Sequence, residues 1–297
     1  MKVIKPVTYE GSMLVSTNAT NVDAEYSAGT IYAAGNRVTY LETIYESLVV
    51  SNTGNTPSTS PAQWVEIGAS NKRAMFDTQV STQTTRATPL TVTVAPGTRF
   101  NSLALLNMGG VTALTITVTD GQGGPTVYSQ TISLVDDFAV DWYMYFFEPT
   151  ALRGDVVLTD IPPYVSGRVT VSLSAGSGSV SIGSMLLGTF YELGGTEYGA
   201  GAGIRAYSVK ETDEFGVTTF MQRAFSKRME AQIFVENNRL TFMSRILSEL
   251  RATPTVWIGA DDDRFSPLVM LGFYRDFNID IAYPEHSLCR LEIEGLI

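Results

Sequence analysis

Apolar and polar residues alternate in short runs through most of the chain, and a period of two belongs to half-buried β-strands. Leu90-Thr91-Val92-Thr93-Val94 and Leu114-Thr115-Ile116-Thr117-Val118-Thr119 show it most cleanly, with turn residues at Ala95-Pro96-Gly97 and Asp120-Gly121. Phe100 to Asn107 reads as a buried run, and Val127 to Leu134, Trp142 to Phe147, Val156 to Leu158, Arg168 to Ser174 and Ser179 to Leu187 continue the series. So many short strands predict a two-sheet sandwich over 71–193. The period changes once: Met243, Ile246, Leu247 and Leu250 recur at helical spacing, predicting an amphipathic helix from Leu240 to Leu250 that Pro254 ends. With strands at Gln232 to Val235, Thr255 to Ile258, Leu268 to Tyr283 and Cys289 to Ile293, residues 204–297 read as an α+β unit.

The other segments read differently. Residues 1–21 predict an extended arm, and 194–203, with Gly194-Gly195 and Gly199-Ala200-Gly201-Ala202-Gly203, predict a hinge. Those glycines do not fit the spacing of a dinucleotide-binding loop. Between Tyr32 and Trp64 a ladder of tyrosines, glycines and a closing tryptophan predicts a miniature β module within 22–70, whose core must be largely aromatic. The fold class expected is therefore mainly β: a small N-terminal module, a jelly-roll-like sandwich and a C-terminal α+β unit.

Composition narrows the function. A formal charge of -10, from 20 basic and 30 acidic residues, leaves no basic footprint for a nucleic-acid backbone. The N-terminal residues lack the pattern of a secretion signal, and no apolar run is long enough for a membrane span, so cytoplasmic synthesis is the expectation. One cysteine, Cys289, and one histidine, His286, cannot complete a structural zinc site, and no serine sits in a nucleophile elbow. Acid clusters at Asp136-Asp137 with Asp141, at Asp213-Glu214 and at Asp261-Asp262-Asp263 sit in turn-like contexts. The triplet Asp261, Asp262 and Asp263 is the candidate cation site, although it lacks the alternate spacing of a calcium loop. No cofactor and no enzymatic turnover are expected.

Tyr32, Gly35, Asn36, Val38, Tyr40, Tyr45, Gly54, Pro57 and Trp64 together resemble the small carbohydrate-binding modules of the chitin-binding class. That resemblance makes Tyr32, Tyr40, Tyr45 and Trp64 candidate glycan-binding residues, although in those modules the pattern residues are mostly skeleton. The opening Asn71-Lys72-Arg73-Ala74-Met75-Phe76-Asp77, the strand Leu103-Ala104-Leu105-Leu106 and the closing Ser181 to Gly188 look like a galactose-binding-type jelly roll, and similar segments are familiar from bacteriophage virion proteins. The resemblance implies a structural component of a tailed-phage virion, in the tail or baseplate, assembled in the host cytoplasm. Its partners would be other virion proteins and copies of itself in a ring. The aromatic run holding Trp142, Tyr143, Tyr145 and Phe147 is then a candidate assembly interface. The second reading is a host-recognition protein that binds cell-surface polysaccharide.

Overall fold

A computed structural model describes residues 1–136, 141–147, 151–260, 267–281 and 283–296, with the side chains of residues 136 and 145 left aside. The chain is mainly β, and its sheets are antiparallel throughout. Strands β1 (Lys2–Pro6) and β2 (Leu14–Thr17) come first. The small module follows as a three-stranded sheet of β3 (Arg37–Tyr40), β4 (Thr43–Ser47) and β5 (Trp64–Ala69). In β3 to β4 the turn holds Leu41 and Glu42 at φ 49 and 66, the positive values a two-residue hairpin needs to match strand twist.

The middle region supplies β6 (Thr84–Ala87), β7 (Leu90–Val94), β8 (Ser102–Leu106), β9 (Ala113–Asp120), β10 (Thr126–Ser133), β11 (Val135–Asp136), β12 (Ala151–Leu152), β13 (Val156–Leu158), β14 (Gly167–Ser174), β15 (Ser179–Ile182) and β16 (Ser184–Glu192). Five strands form one sheet in the order β10-β9-β14-β7-β2. Leu90, Val92, Val94, Leu114, Ile116, Val118, Val169, Val171 and Leu173 line its inner face and meet Leu103 and Leu105 of β8 and Met185 and Leu187 of β16 in one core. This is the sandwich that the alternation predicts, since every second residue is buried in its inner strands β7, β9 and β14.

After the sandwich come β17 (Gly195–Thr196), β18 (Gly201–Ala206), β19 (Val209–Thr212), β20 (Thr218–Met221) and β21 (Phe225–Glu236), then a helix at Leu240–Glu249, and β22 (Thr255–Ile258), β23 (Val269–Asp280) and β24 (His286–Gly295). A ten-stranded sheet in the order β13-β8-β16-β1-β22-β23-β24-β21-β17, with β18 also on β21, joins both regions. Strand β1 stands at its centre, antiparallel to β16 on one side and β22 on the other. Across β1 the covering layer changes. On one side lies the five-stranded sheet; on the other, the helix buries Met243, Ile246 and Leu247 against Trp257, Met270 and Leu291. The opposite face of the same sheet has its own core of Ile4, Ala104, Leu106, Val256, Ile258 and Leu271.

Three expectations give way here. Residues 1–21 are extended, but they are the central strand of one sheet and an edge strand of another, because their alternation matches open positions on both. Residues 194–203 are not a hinge: Gly195–Thr196 and Gly201–Ala206 pair with β21, and a Cβ on Gly194 would collide with the Phe234 carbonyl. Gly194 serves close backbone approach, whereas Gly195, Gly199, Gly201 and Gly203 face open space. Trp142–Phe147 is a short helix instead of a strand. A continuous apolar run carries no period of its own; here Asp141 Oδ1 accepts the Met144 N–H at 2.8 Å, and the helical pairs Trp142–Phe146 and Tyr143–Phe147 bring ring centroids to 6.2 and 5.0 Å.

Candidate functional site

In the small module the aromatic ladder turns inward. Trp64 is 2% exposed and donates its indole N–H to the Asn55 carbonyl at 2.9 Å; Tyr32 is 8% exposed, and its hydroxyl accepts the Ser27 N–H at 2.8 Å. Their rings meet edge-on at 5.2 Å, and Tyr26 packs against Tyr32, Tyr40 and Trp64 at 5.9, 5.7 and 6.0 Å. A sugar stacks on a free ring face, and neither Tyr32 nor Trp64 offers one. Of the four candidates, Tyr40 and Tyr45 remain half-buried. The polar loop is fixed from within: Asn52 donates to Ser47 Oγ at 3.0 Å and accepts from Asn55 at 2.8 Å.

The joint between module and sandwich uses Asn71, Met75, Phe76 and Asp77 of the motif that drew attention in the sequence. Asn71 donates to the carbonyls of Thr20 and Thr85 at 2.8 and 2.9 Å and accepts the Thr85 N–H at 2.8 Å, clasping two chain crossings. Met75 is buried in the sandwich core. Phe76 stacks on Tyr9 with centroids 4.2 Å apart and planes at 4°. Asp77 accepts from Gln79 N at 2.8 Å and Thr82 Oγ1 at 2.6 Å. The hairpin turn of the module touches the same place, since the Glu42 carbonyl accepts the Ser70 N–H at 2.8 Å. Burial first, and the Glu42 carboxylate second, push the Tyr9 hydroxyl up to about 12. Beside Tyr9 and Phe76 a cleft of about 430 Å³ is lined by Met13, Met185, Leu187 and Pro254.

Among the described residues the acid clusters do not converge. Asp213 closes a turn, its Oδ1 accepting the N–H groups of Phe215 at 2.9 Å and Val217 at 2.8 Å. Asp141 caps the short helix, while Asp137, Asp261, Asp262 and Asp263 lie outside the described residues. Among the described residues no group of three metal-ligating side chains comes together. Cys289 and His286, three apart on β24, point to opposite faces. Cys289 is buried, and desolvation pushes its thiol up to about 11; His286 stacks between Phe234 and Tyr283 at 4.3 and 4.4 Å.

Exposed apolar surface is concentrated in two places. One is the helix, where Trp142, Tyr143 and Phe147 are 78%, 67% and 73% exposed; the side chain of the fourth candidate there, Tyr145, lies outside the described set. The other went unread in the sequence: a two-stranded arm from Tyr198 to Phe225. Eight of the twenty-six exposed large hydrophobic side chains among the described residues lie on it, far above its share of the chain. β18 pairs with the start of β21, β19 with β20, and the Tyr207 N–H to Ala224 carbonyl bond of 3.1 Å carries the ribbon across the gap. Val209 faces Met221 on one side of the ribbon, and Lys210 faces Phe220 on the other, its Nζ 5.8 Å from the ring centroid. The readable signal was Asp213-Glu214-Phe215-Gly216, a turn between two alternating runs.

No protein-family model matches the chain, and a search of curated proteins returns no match either. Among the described residues no helix is long and apolar enough to cross a membrane.

Proposed function

We propose that this chain is a structural assembly protein of a tailed-phage virion, placed in the tail or baseplate, where it joins symmetric neighbours and displays its small module. The observation that carries the assembly role is the arm, with Phe215, Phe220 and Ile204 exposed at 90%, 75% and 70% on a two-stranded β ribbon. An isolated two-stranded ribbon is marginal in water, so such an element gains order when a neighbour covers it. The phage setting rests on the resemblance of the Asn71 to Asp77 opening and the sandwich that follows it. No catalytic step belongs to this reading. The inward rings of Tyr32 and Trp64 count against sugar binding through those two residues, which places host-glycan recognition second.

Immunogold labelling tests the proposal, with antibody to the recombinant chain applied to particles from the source that encodes it. Gold at the tail end is the expected result. Particles that carry no label, alongside a positive control for a known tail component, overturn the virion role.

A further inference from the structure

The end strands of the two large sheets are guarded against pairing with another chain: β10 and β2 carry a register irregularity, and β13 and β17 are three and two residues long. Strand β18 has neither device. It pairs with β21 in unbroken register, and all six of its residues are exposed. The Tyr207 N–H bond to the Ala224 carbonyl sets the phase of that ladder, so the odd-numbered residues bond inward and the N–H and C=O groups of Ala202, Ile204 and Ala206 point outward. Among the described residues none of those outward groups has a hydrogen-bond partner. We infer that this edge pairs antiparallel with β18 of a second copy, about a two-fold axis at Ile204.

The order of residues along the strand singles out a copy. Neither Gly201 nor Gly203 holds the positive φ that would require glycine, and a Cβ on either would meet nothing within 4 Å. The single chain therefore has no use for glycine at these two positions. Glycine inside a strand weakens it and often marks a place where another backbone comes close. Turned about Ile204, the strand itself supplies that backbone: Gly201 falls opposite the partner's Tyr207, Ala202 opposite the partner's Ala206, Gly203 opposite the partner's Arg205, and Ile204 opposite the partner's Ile204. Each glycine meets a large side chain, and each alanine meets an alanine. A large side chain standing across from a glycine covers the backbone that the glycine leaves bare.

A lysine or arginine on an edge strand ordinarily keeps other strands away. Here Arg205 is the one charged residue between Gly201 and Tyr207, and it is drawn back over its own sheet: its guanidinium lies 3.5 Å from Glu294 and 5.8 Å from the centroid of the Tyr207 ring. The edge is left open, and its charge is locally balanced. A two-fold contact is isologous and closes at two chains, so it is not the ring that the resemblance implies, and it stands without the virion setting. So short a strand pair lies at the small end of specific interfaces, and the dimer is expected to dissociate on dilution.

Sedimentation velocity of the full chain across a concentration series tests the pairing. Ile204→Pro removes an outward N–H and no bond to β21, the kind of edge position at which proline is tolerated. Gly203→Val adds a side chain where the single chain has room and the dimer does not. The wild type is expected to sediment as a monomer in exchange with a dimer at micromolar concentration, and both variants, with unchanged circular dichroism, to weaken that dimer at least tenfold. Ile204→Cys is expected to form a disulfide-linked dimer in oxidised glutathione and nothing larger, since directly opposed Cα atoms in such a ladder lie about 5.5 Å apart. Thr131→Cys, exposed on β10, is expected to stay monomeric under the same conditions. A wild-type chain that remains monomeric at high micromolar concentration overturns the pairing. So does a dimer that Ile204→Pro leaves intact, or one that Ile204→Cys fails to cross-link. Gold labelling of particles reads the virion role separately, so either can fail while the other holds.

Discussion

Val3 and Ile4 are neighbours in one strand and lie in different hydrophobic cores: Val3 packs with Trp257 and the C-terminal helix, Ile4 with Ala104, Leu106 and Val256 on the reverse of the sheet. Both are 0% exposed. Because β1 pairs with β16 and β22, the sandwich and the C-terminal unit share one hydrogen-bonded sheet. Ile4→Ala is expected to cost about 2–5 kcal/mol, the usual range for such a truncation, and to lower the stability of both regions together. Urea unfolding followed by Trp fluorescence and far-UV circular dichroism checks it. The two probes are expected to shift by the same amount; a shift in only one would separate the units.

Gly188 makes a second test of the same strand. A Cβ there would run into the Lys5 carbonyl and come within 2.7 Å of Ile4 Cγ2. Backbone cannot yield as a flexible side chain does, so Gly188→Ala is expected to destabilise by about 1–3 kcal/mol, as overpacking does. Gly201→Ala, where a Cβ meets open space, is the matched control and is expected to leave the melting temperature unchanged.

Trp64→Ala is expected to unfold the small module, since burying a tryptophan contributes about 3–5 kcal/mol and its indole bond to Asn55 goes with it. The half-buried Tyr40 and Tyr45 can be cut back at smaller cost. Loss of binding to insoluble chitin in Tyr40→Ala or Tyr45→Ala, with the module's NMR fingerprint intact, would revive glycan binding. Loss in Trp64→Ala alone reports unfolding.

Alkaline pH is expected to weaken the fold. Burial raises Tyr9 from 10.0 to about 12 and Cys289 from 9.0 to about 11, while burial and the Asp160 carboxylate raise Tyr128 from 10.0 to about 12. A folded value above the unfolded one means the native state holds its proton more tightly. The associated stability is whole below the unfolded values and is lost as pH rises through the folded ones. The melting temperature is expected to be flat to about pH 9 and to fall between pH 9 and 12. In the native chain Cys289 is expected to resist a thiol reagent at pH 8 and to react fully in urea; fast native reaction would mean the thiol is accessible.

The sandwich was legible in the sequence because its inner strands β7, β9 and β14 bury one face and so impose period two, as Leu90, Val92 and Val94 do. The helix was legible for the same reason at its own period; expected from Leu240 to Leu250, it spans Leu240–Glu249. What escaped depends on partners far along the chain. Nothing local to Lys2–Pro6 says that it lies between β16 and β22. Nothing in the glycine-rich sequence of 194–203 says that Gly194 closely approaches Phe234. The Trp142–Phe147 run is apolar on every side, so period could not choose between strand and helix. At the module joint, Asn71 and Asp77 stood out as a motif before their bonds to Thr85 and Thr82 gave them a task.

Lys210 offers the most direct test, because it sits exposed on the arm beside Phe220. Its acetylation rate, normalised to the other lysines, can be compared by mass spectrometry between purified particles and the dilute recombinant chain. Strong protection of Lys210 in the particle, several-fold or more, is the result expected if the arm is the assembly contact. Equal reactivity in the particle and in the dilute chain would contradict it.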